Sequence, residues 1–537
     1  MNSLNYFSNP YPIQRNATFA RNGMVATSQP LAADAGMTVL KKGGNAVEAA
    51  IATAACLTVV EPTSNGIGGD LFALVWINGK LHGLNGSGRS PKSISIDAVK
   101  EQGHEKMPKY GWIPVTIPGA PGAWAELSKK FGNLPLTEVL KPAITYAKEG
   151  YPLSPTLGKY WKRAHRIFMD NLKGDEFNAW FKTFTPEGRA PRVGEIWASE
   201  GHARTLELIA ETNAEAFYHG ELAEKIASFS KETGGFLTAE DLANHRAEWV
   251  NPVSINYRGY DIWELPPNGQ GVVALQAMNI LKGFEFTDKE SIHTYHKQIE
   301  AIKLAFADGF KYVSDENQMD VTLKELLHDD YVAKRRKLIT DTALTPEAGD
   351  PKASGTVYLS TADKEGNMVS LIQSNYMGFG SGIVVPGTGI SLQNRGADFS
   401  LDPNHVNALE GGKRTYHTII PGFLTKNKQA VGPFGVMGGY MMPQGHVQVL
   451  MNTIDFGLNP QAALDAPRWQ WMRDKIVEVE PRFPHHTATE LAEKGHDVRI
   501  AMEPNSFGRG QIIWRDPKSG VLVGGTESRT DGSIAVW

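Results

Sequence analysis

Side chains able to do chemistry occur in four constellations, and their spacing separates them. His293 and His296 stand three apart, and His485 and His486 are adjacent. Neither pair has carboxylate or cysteine company at ligand spacing, and the chain has no H-E-x-x-H, so no metal site is expected. Gly378-Phe379-Gly380-Ser381-Gly382 comes after a strand and resembles part of a dinucleotide loop. Its third glycine and the downstream acidic residue are wrongly placed, so it reads as a tight loop between strands. A serine hydrolase would need a G-x-S-x-G elbow, and Gly86-Ser87-Gly88-Arg89 lacks that spacing. The fourth constellation is Gly355-Thr356, where a turn-rich linker meets a strand. In an uncut chain Thr356 is an ordinary strand-initiating β-branched residue. If the chain is cut before it, Thr356 gains an α-amine with a pKa of about 7.7–8.0. That amine can take the proton of its own hydroxyl and make the oxygen a nucleophile.

The elements around this junction are legible. The linker 340–355 is rich in Thr, Pro, Gly, Asp and Ser. Residues 357–362 and 368–373 read as strands around the turn Lys364-Glu365-Gly366-Asn367. Far upstream, 30–42 reads as a helix stopped by Gly43-Gly44. Asn45 is placed to cap a second helix running to about Val60. A glycine-rich loop, 63–70, leads into a hairpin, 71–84, turned by Asn78-Gly79. Residues 1–25 read as a polar, weakly ordered arm. Residues 115–330 read as mostly helical, including a helix at 272–281, and the chain beyond 355 reads as strand-rich.

Composition bounds the function. Among 537 residues, 54 Lys and Arg face 58 Asp and Glu, so the net charge of −4 supports neither nucleic acid nor an anionic membrane as partner. Apolar residues at 41% and charged ones at 21% suit a globular chain with a large core. The single cysteine, Cys56, excludes an intramolecular disulfide framework and reads as a small core residue. The longest apolar run, 49–60, is too short to span a bilayer. With no secretory signal at the N-terminus, a cytoplasmic protein is expected.

The chain resembles the γ-glutamyltransferases, members of the N-terminal-nucleophile hydrolases, from about Gly23 to Trp537. The resemblance rests on an ordered series of motifs. They include Leu40 to Ala50, Gly66-Ile67-Gly68-Gly69-Asp70 and Pro118-Gly119-Ala120-Pro121-Gly122. Further on come Gly355-Thr356, Gly380-Ser381-Gly382-Ile383, Asp398-Phe399-Ser400, Gly438-Gly439, Asp465-Ala466-Pro467-Arg468 and Gly524-Gly525. It implies an α+β fold, a four-layer αββα sandwich made as an inactive precursor. Self-cleavage between Gly355 and Thr356 would give a large subunit, 1–355, and a small one, 356–537, interlocked in one domain. It implies Thr356 as nucleophile and base, Ser374 as a second hydroxyl beside it, and Gly438 and Gly439 as the oxyanion hole. No cofactor is implied.

The substrate pocket departs from the family pattern. Asp398, which the family uses for the substrate amine, is kept. Tyr376 stands at the family's Asn position, Arg395 at its Gln or Glu position, and His417-Thr418 at its paired serines. Arg89 is the nearest substitute for the arginine that holds the substrate carboxylate. The stretch from Asp398 to Arg414 is too short for the lid loop of some relatives. Arg395 matters most, because a permanent guanidinium about 4 Å from an ammonium repels it by about 4 kcal/mol at an effective dielectric of 20. Three readings result. The default is a threonine amidohydrolase of γ-glutamyl amides such as glutathione, with water as main acceptor. The second is an acylase of glutaryl or oxamate type. The third is an uncleaved precursor that serves as a binding protein.

Overall fold

The computed structural model describes residues 15–346, 356–502 and 504–537. Gly355 and the linker residues 347–354 lie outside the described residues, as does the start of the expected N-terminal arm.

The hairpin that begins at Thr356 is formed by Val357–Asp363 and Met368–Ser374. They pair antiparallel, with Val357 opposite Gln373 and Ala362 opposite Met368. Every residue of both strands is buried. Both faces of the hairpin are covered, so its polar residues Ser360, Thr361, Ser370 and Gln373 are buried along with its apolar ones. The period of two divides them between two cores. Val357, Leu359, Val369 and Leu371 join a core beneath helices, while Tyr358, Ala362, Met368 and Ile372 join one between two sheets.

This hairpin is central to a seven-stranded sheet. On one side of it lie Gly23–Thr27 and Ser533–Val536; on the other lie Asp70–Ile77, Lys80–Gly86 and Glu248–Val250. A second seven-stranded sheet runs Thr18–Ala20, Leu522–Thr526, Arg509–Arg515, Gln429–Met437, Gly422–Lys426, Tyr260–Glu264, Val253–Tyr257. Phe423, Met437, Ile513 and Leu522 from the second sheet meet Phe72, Leu74 and Tyr358 from the first. Helices Pro30–Lys41, Ala46–Val60 and Ala120–Phe131 cover the outer face of the first sheet. Gly271–Leu281, Ile292–Tyr312 and Met441–Ile454 cover the outer face of the second. The result is the expected four-layer αββα sandwich. No helix among the described residues is long and apolar enough to cross a membrane.

The N-terminal arm needs correction. Gly23–Thr27 is a buried strand that pairs with Leu359–Asp363 on one side and with Ser533–Val536 on the other. Its partners lie at the far end of the chain, so local pattern could not show the pairing. Nor is the compositional boundary at 355 a spatial one, because segments before and after it contribute strands to both sheets.

Helix Ala46–Val60 fixes the hairpin. Asn45 caps it as expected: its Oδ1 accepts the N–H groups of Val47 and Glu48, and the Glu48 carboxylate accepts the N–H of Asn45. The first turn then reaches the hairpin. The Ala46 N–H donates to Asp363 Oδ2 at 2.9 Å, and the Thr361 hydroxyl donates to the Ala46 carbonyl at 2.6 Å. Cys56, on this helix, is fully buried.

Candidate active site

Thr356 immediately precedes one hairpin strand and Ser374 ends the other. The register brings them to the same end, where Thr356 Oγ1 and Ser374 Oγ are 3.0 Å apart and fully buried. Ser374 Oγ also accepts the Tyr376 backbone N–H at 2.8 Å. Tyr376 has φ of +73°, a left-handed conformation that a bulky residue adopts only when its surroundings impose it. Its ring lies under the Arg395 guanidinium, 3.9 Å from ring centre to Cζ, and its hydroxyl donates to Asp398 Oδ1.

Arg395 and Asp398 share one short 3₁₀ turn. Arg395 Nη1 donates to Thr418 Oγ1 at 2.9 Å and to Asp398 Oδ2 at 3.4 Å. Arg395 is fully buried, yet its Nε and Nη2 have no hydrogen-bond partner among the described residues. The Tyr440 hydroxyl lies 3.4 Å from Asp398 Oδ1. Burial pushes the Tyr376 and Tyr440 phenols far above their usual range, with the charge of Asp398 adding to it. Both therefore stay protonated and face Asp398 as donors.

Gly438 and Gly439 lie between strand Gln429–Met437 and helix Met441–Ile454. Their φ values of +143° and +63° favour glycine, and a Cβ on Gly438 would meet Gly508 Cα at 3.1 Å. Gln270 joins this pair to the hairpin side. Its Nε2 donates to the Gly439 carbonyl at 2.9 Å and to the Thr418 carbonyl at 2.6 Å. The Tyr416 hydroxyl donates to Gln270 Oε1 and so fixes which way the amide faces. Thr356, Ser374, Tyr376, Asp398, Arg395, Thr418, Gln270 and Gly439 thus form one connected chain of contacts.

Two expected residues are engaged elsewhere. Arg89 Nη1 is 2.7 Å from Asp315 and its Nη2 is 3.6 Å from Glu248. Two carboxylates already compensate that guanidinium, which does not suit it to hold a substrate carboxylate. His417 turns from Thr418 toward Asp70. Its Nδ1 accepts the Ile419 N–H, so Nε2 carries the proton and donates to Asp70 Oδ2 at 2.9 Å. Burial, then the charges of Arg395 and Arg414, hold the imidazole well below its usual pKa, and it is neutral. Asp70 also accepts from Gln393 and from the Gly88 N–H; burial still pushes its carboxyl up to about 7.

Sequence reasoning marked Asp70 only as part of a motif and missed Gln270 and Tyr440. The register that sets Asp70 opposite Ser374 explains its place; no local signal marks the other two. Of the two histidine pairs of the sequence, His296 alone among the described residues joins a group that could hold a metal ion: it meets His496 at 2.9 Å, beside Glu300. A consistent donor chain accounts for their nitrogens: Lys303 to His496, His496 to His296, and His296 to the Thr340 carbonyl. The buried Lys303 ammonium, 2.7 Å from Glu300, opposes a cation there.

Residues 32–537 match the family model for gamma-glutamyltranspeptidase. The chain belongs to that family. It is 65% identical to a cephalosporin acylase from Bacillus halodurans of known crystal structure, with a TM-score of 0.96 over 100% of this chain and 99% of that one. It is 38% identical to a glutathione hydrolase-like YwrD proenzyme of Bacillus subtilis, over 95% of this chain and 97% of the relative. It is 32% identical to an oxamate amidohydrolase proenzyme of Klebsiella pneumoniae, over 97% and 99%. These full-length matches establish the family and the N-terminal-nucleophile hydrolase fold. Family members with such different names share the architecture, so the acyl group must be argued from the pocket.

Proposed function

We propose that this enzyme cuts its own chain between Gly355 and Thr356. It then acts as a threonine amidohydrolase on acyl groups that carry a carboxylate but no α-amine, of the glutaryl or oxamate type. The observation that carries the substrate class is the orphaned Nε and Nη2 edge of buried Arg395. These two donors form one side of the guanidinium fork, which matches a carboxylate bidentately. A γ-glutamyl ammonium would instead have to share Asp398 with Arg395, Tyr376 and Tyr440. Of the classes that the sequence left open, the pocket therefore favours the second over the γ-glutamyl default.

In processing, Thr356 Oγ1 attacks the Gly355 carbonyl carbon, and the peptide nitrogen leaves as the Thr356 amine. Water hydrolyses the resulting ester. In turnover that amine takes the Oγ1 proton as the oxygen attacks the substrate amide. Ser374 Oγ, 3.0 Å away, holds the hydroxyl in place. The N–H groups of Gly438 and Gly439 stabilise the oxyanion, each such donor being worth about 3 kcal/mol. The departing amine takes a proton, and water releases the acid.

The test joins a denaturing gel to an acyl-donor panel. Processing gives bands near 39 and 20 kDa, in proportion to 58.7 kDa over 537 residues. Glutaryl 4-nitroanilide or oxamate should be hydrolysed with kcat/KM at least ~10-fold above γ-glutamyl 4-nitroanilide, given the charge repulsion at Arg395. The reverse order overturns the substrate class. A single uncut band without turnover would favour a binding protein.

A further inference from the structure

Gln270 is the last residue before helix Gly271–Leu281, and it is fully buried. Its backbone runs beside the segment that carries Thr418. The Gln270 N–H donates to the His417 carbonyl at 2.9 Å, and the His417 N–H donates to the Asn268 carbonyl at 2.9 Å. Asn268 Nδ2 adds a bond to the Thr415 carbonyl, also at 2.9 Å. The side chain thus starts from a fixed base and reaches the Gly438-Gly439 pair on another element.

A primary amide has two N–H donors and one carbonyl acceptor, and here all are engaged. The donors serve the carbonyls of Thr418 and Gly439, at 2.6 and 2.9 Å. The acceptor takes the Tyr416 hydroxyl at 3.1 Å. Burial, then the charge of Asp398, holds the Tyr416 phenol far above its usual range, so it remains a donor and the amide keeps one orientation.

The glycine pair needs such a tie. Glycine has the widest backbone freedom of any residue, and an oxyanion donor is most effective when aimed before charge develops. From the helix side, the Met441 and Met442 N–H groups donate to the Gly438 and Gly439 carbonyls, each at 3.1 Å. Among the described residues, Gln270 supplies the one side-chain hydrogen bond to the pair. Through Thr418 it also joins the pair to Arg395, whose Nη1 donates to Thr418 Oγ1 at 2.9 Å.

We infer that Gln270 is a positioning residue: its amide holds the N–H groups of Gly438 and Gly439 at a fixed place relative to the Arg395 pocket. The scissile carbonyl and the acyl carboxylate are then met at one set spacing. The inference rests on the roles proposed above for the glycine pair and Arg395.

Two inhibitors separate oxyanion contact from pocket binding: glutarate, and 4-boronobutanoate, in which a boronic acid replaces one carboxyl group. The boron takes a lone pair of Thr356 Oγ1 and the Oγ1 proton passes to the α-amine. The tetrahedral boronate so formed presents an oxygen to the glycine pair. Gln270→Leu should raise the Ki of the boronate about ten-fold and lower kcat by a similar factor, a smaller loss than that of an oxyanion donor itself. The Ki of glutarate should stay within about two-fold, since pocket binding makes no call on the oxyanion donors. Equal rises in both Ki values would show general loosening of the site and overturn the inference, as would a boronate Ki that does not move. Tyr416→Phe removes only the hydroxyl that orients the amide. It should raise the boronate Ki about three-fold and leave glutarate unchanged, the size of one neutral hydrogen bond. If Gln270→Leu yields no folded protein, Tyr416→Phe decides: no shift, or the same shift for glutarate, overturns the inference. If neither compound inhibits the wild type, the acyl assignment fails, and the donor that the wild type cleaves fastest carries the test. On that donor, a fall in kcat at unchanged KM supports the role of Gln270, and any other split overturns it.

Discussion

The Thr356 hydroxyl faces the Ser374 hydroxyl at 3.0 Å across the open end of a fully buried hairpin. The ladder beneath them sets this distance, since Val357 is opposite Gln373 and the next pair outward is Thr356 and Ser374. A rigid two-strand frame suits the role proposed for Thr356, which would first attack its own backbone and then a substrate. Both acts call for the same oxygen in nearly the same place.

Replacement of Thr356 by Ala should abolish processing and activity together. Thr356→Ser keeps Oγ and the future amine, so it should retain part of each. Denaturing gels of freshly purified and aged protein, with turnover assays, read both effects. Complete processing in the Ala variant would rule out Thr356 as the attacking group.

Ser374→Ala should slow processing and turnover by roughly ten-fold, the loss expected of one buried hydrogen bond near the reacting oxygen. It should also raise KM. Ser374 Oγ accepts the Tyr376 N–H, which helps to hold that residue at φ +73° beneath Arg395. Ser374→Thr should recover most of both. A variant with kcat lowered and KM untouched would separate Ser374 from the pocket.

Legibility in the sequence tracks the range of the interactions. The helix cap at Asn45, the Asn78-Gly79 turn and the Thr356 hairpin are local, and each appears where pattern places it. Gly23–Thr27 is not local: its apolar alternation is too short to mark a central strand, and its partners are contributed by residues after 356. In the site, Tyr376, Arg395, Asp398 and Thr418 come together as their motifs suggest. The side chains of Arg89 and His417 have other partners than their motifs suggest, because each meets a carboxylate from a distant segment, Asp315 and Asp70 respectively. Those encounters depend on how the sheets stack, and spacing along the chain carries no record of it.

Acid should weaken the fold through the cluster at His296 and His496. Burial, then Lys303, pushes His496 down to about 2, and burial, then Lys297, pushes His296 to about 4. In the unfolded chain both titrate near 6.5. Below that pH the unfolded state binds protons that the folded state does not, so stability is full above pH 6.5 and is lost as pH falls. Each histidine costs at most about 1.4 kcal/mol per pH unit in that window. His496→Gln preserves a donor to His296 and an acceptor for Lys303, so Tm should fall less between pH 7 and pH 5 than in wild type. An unchanged difference in Tm would show that other groups carry the acid sensitivity.

Arg395→Gln should change which acyl group is preferred. It restores the residue type common in γ-glutamyl-specific relatives and removes the charge facing the expected amine position. It also removes the orphaned donor pair proposed for a carboxylate. The guanidinium is buried and lies 3.4 Å from Asp398, which offsets part of its field, so the full repulsion of about 4 kcal/mol is not expected. A remainder of about 1–2 kcal/mol shifts the ratio of kcat/KM for γ-glutamyl over glutaryl 4-nitroanilide upward by about 5- to 30-fold. The ratio is the informative quantity, because the two substrates share the scissile bond, the leaving group and the oxyanion contacts and differ only in the amine. Loss of the stack on Tyr376 would lower both rates, yet an equal loss cancels in the ratio. A ratio that stays put while both rates fall would make Arg395 a support for Tyr376 and Asp398 and leave acyl choice to other residues.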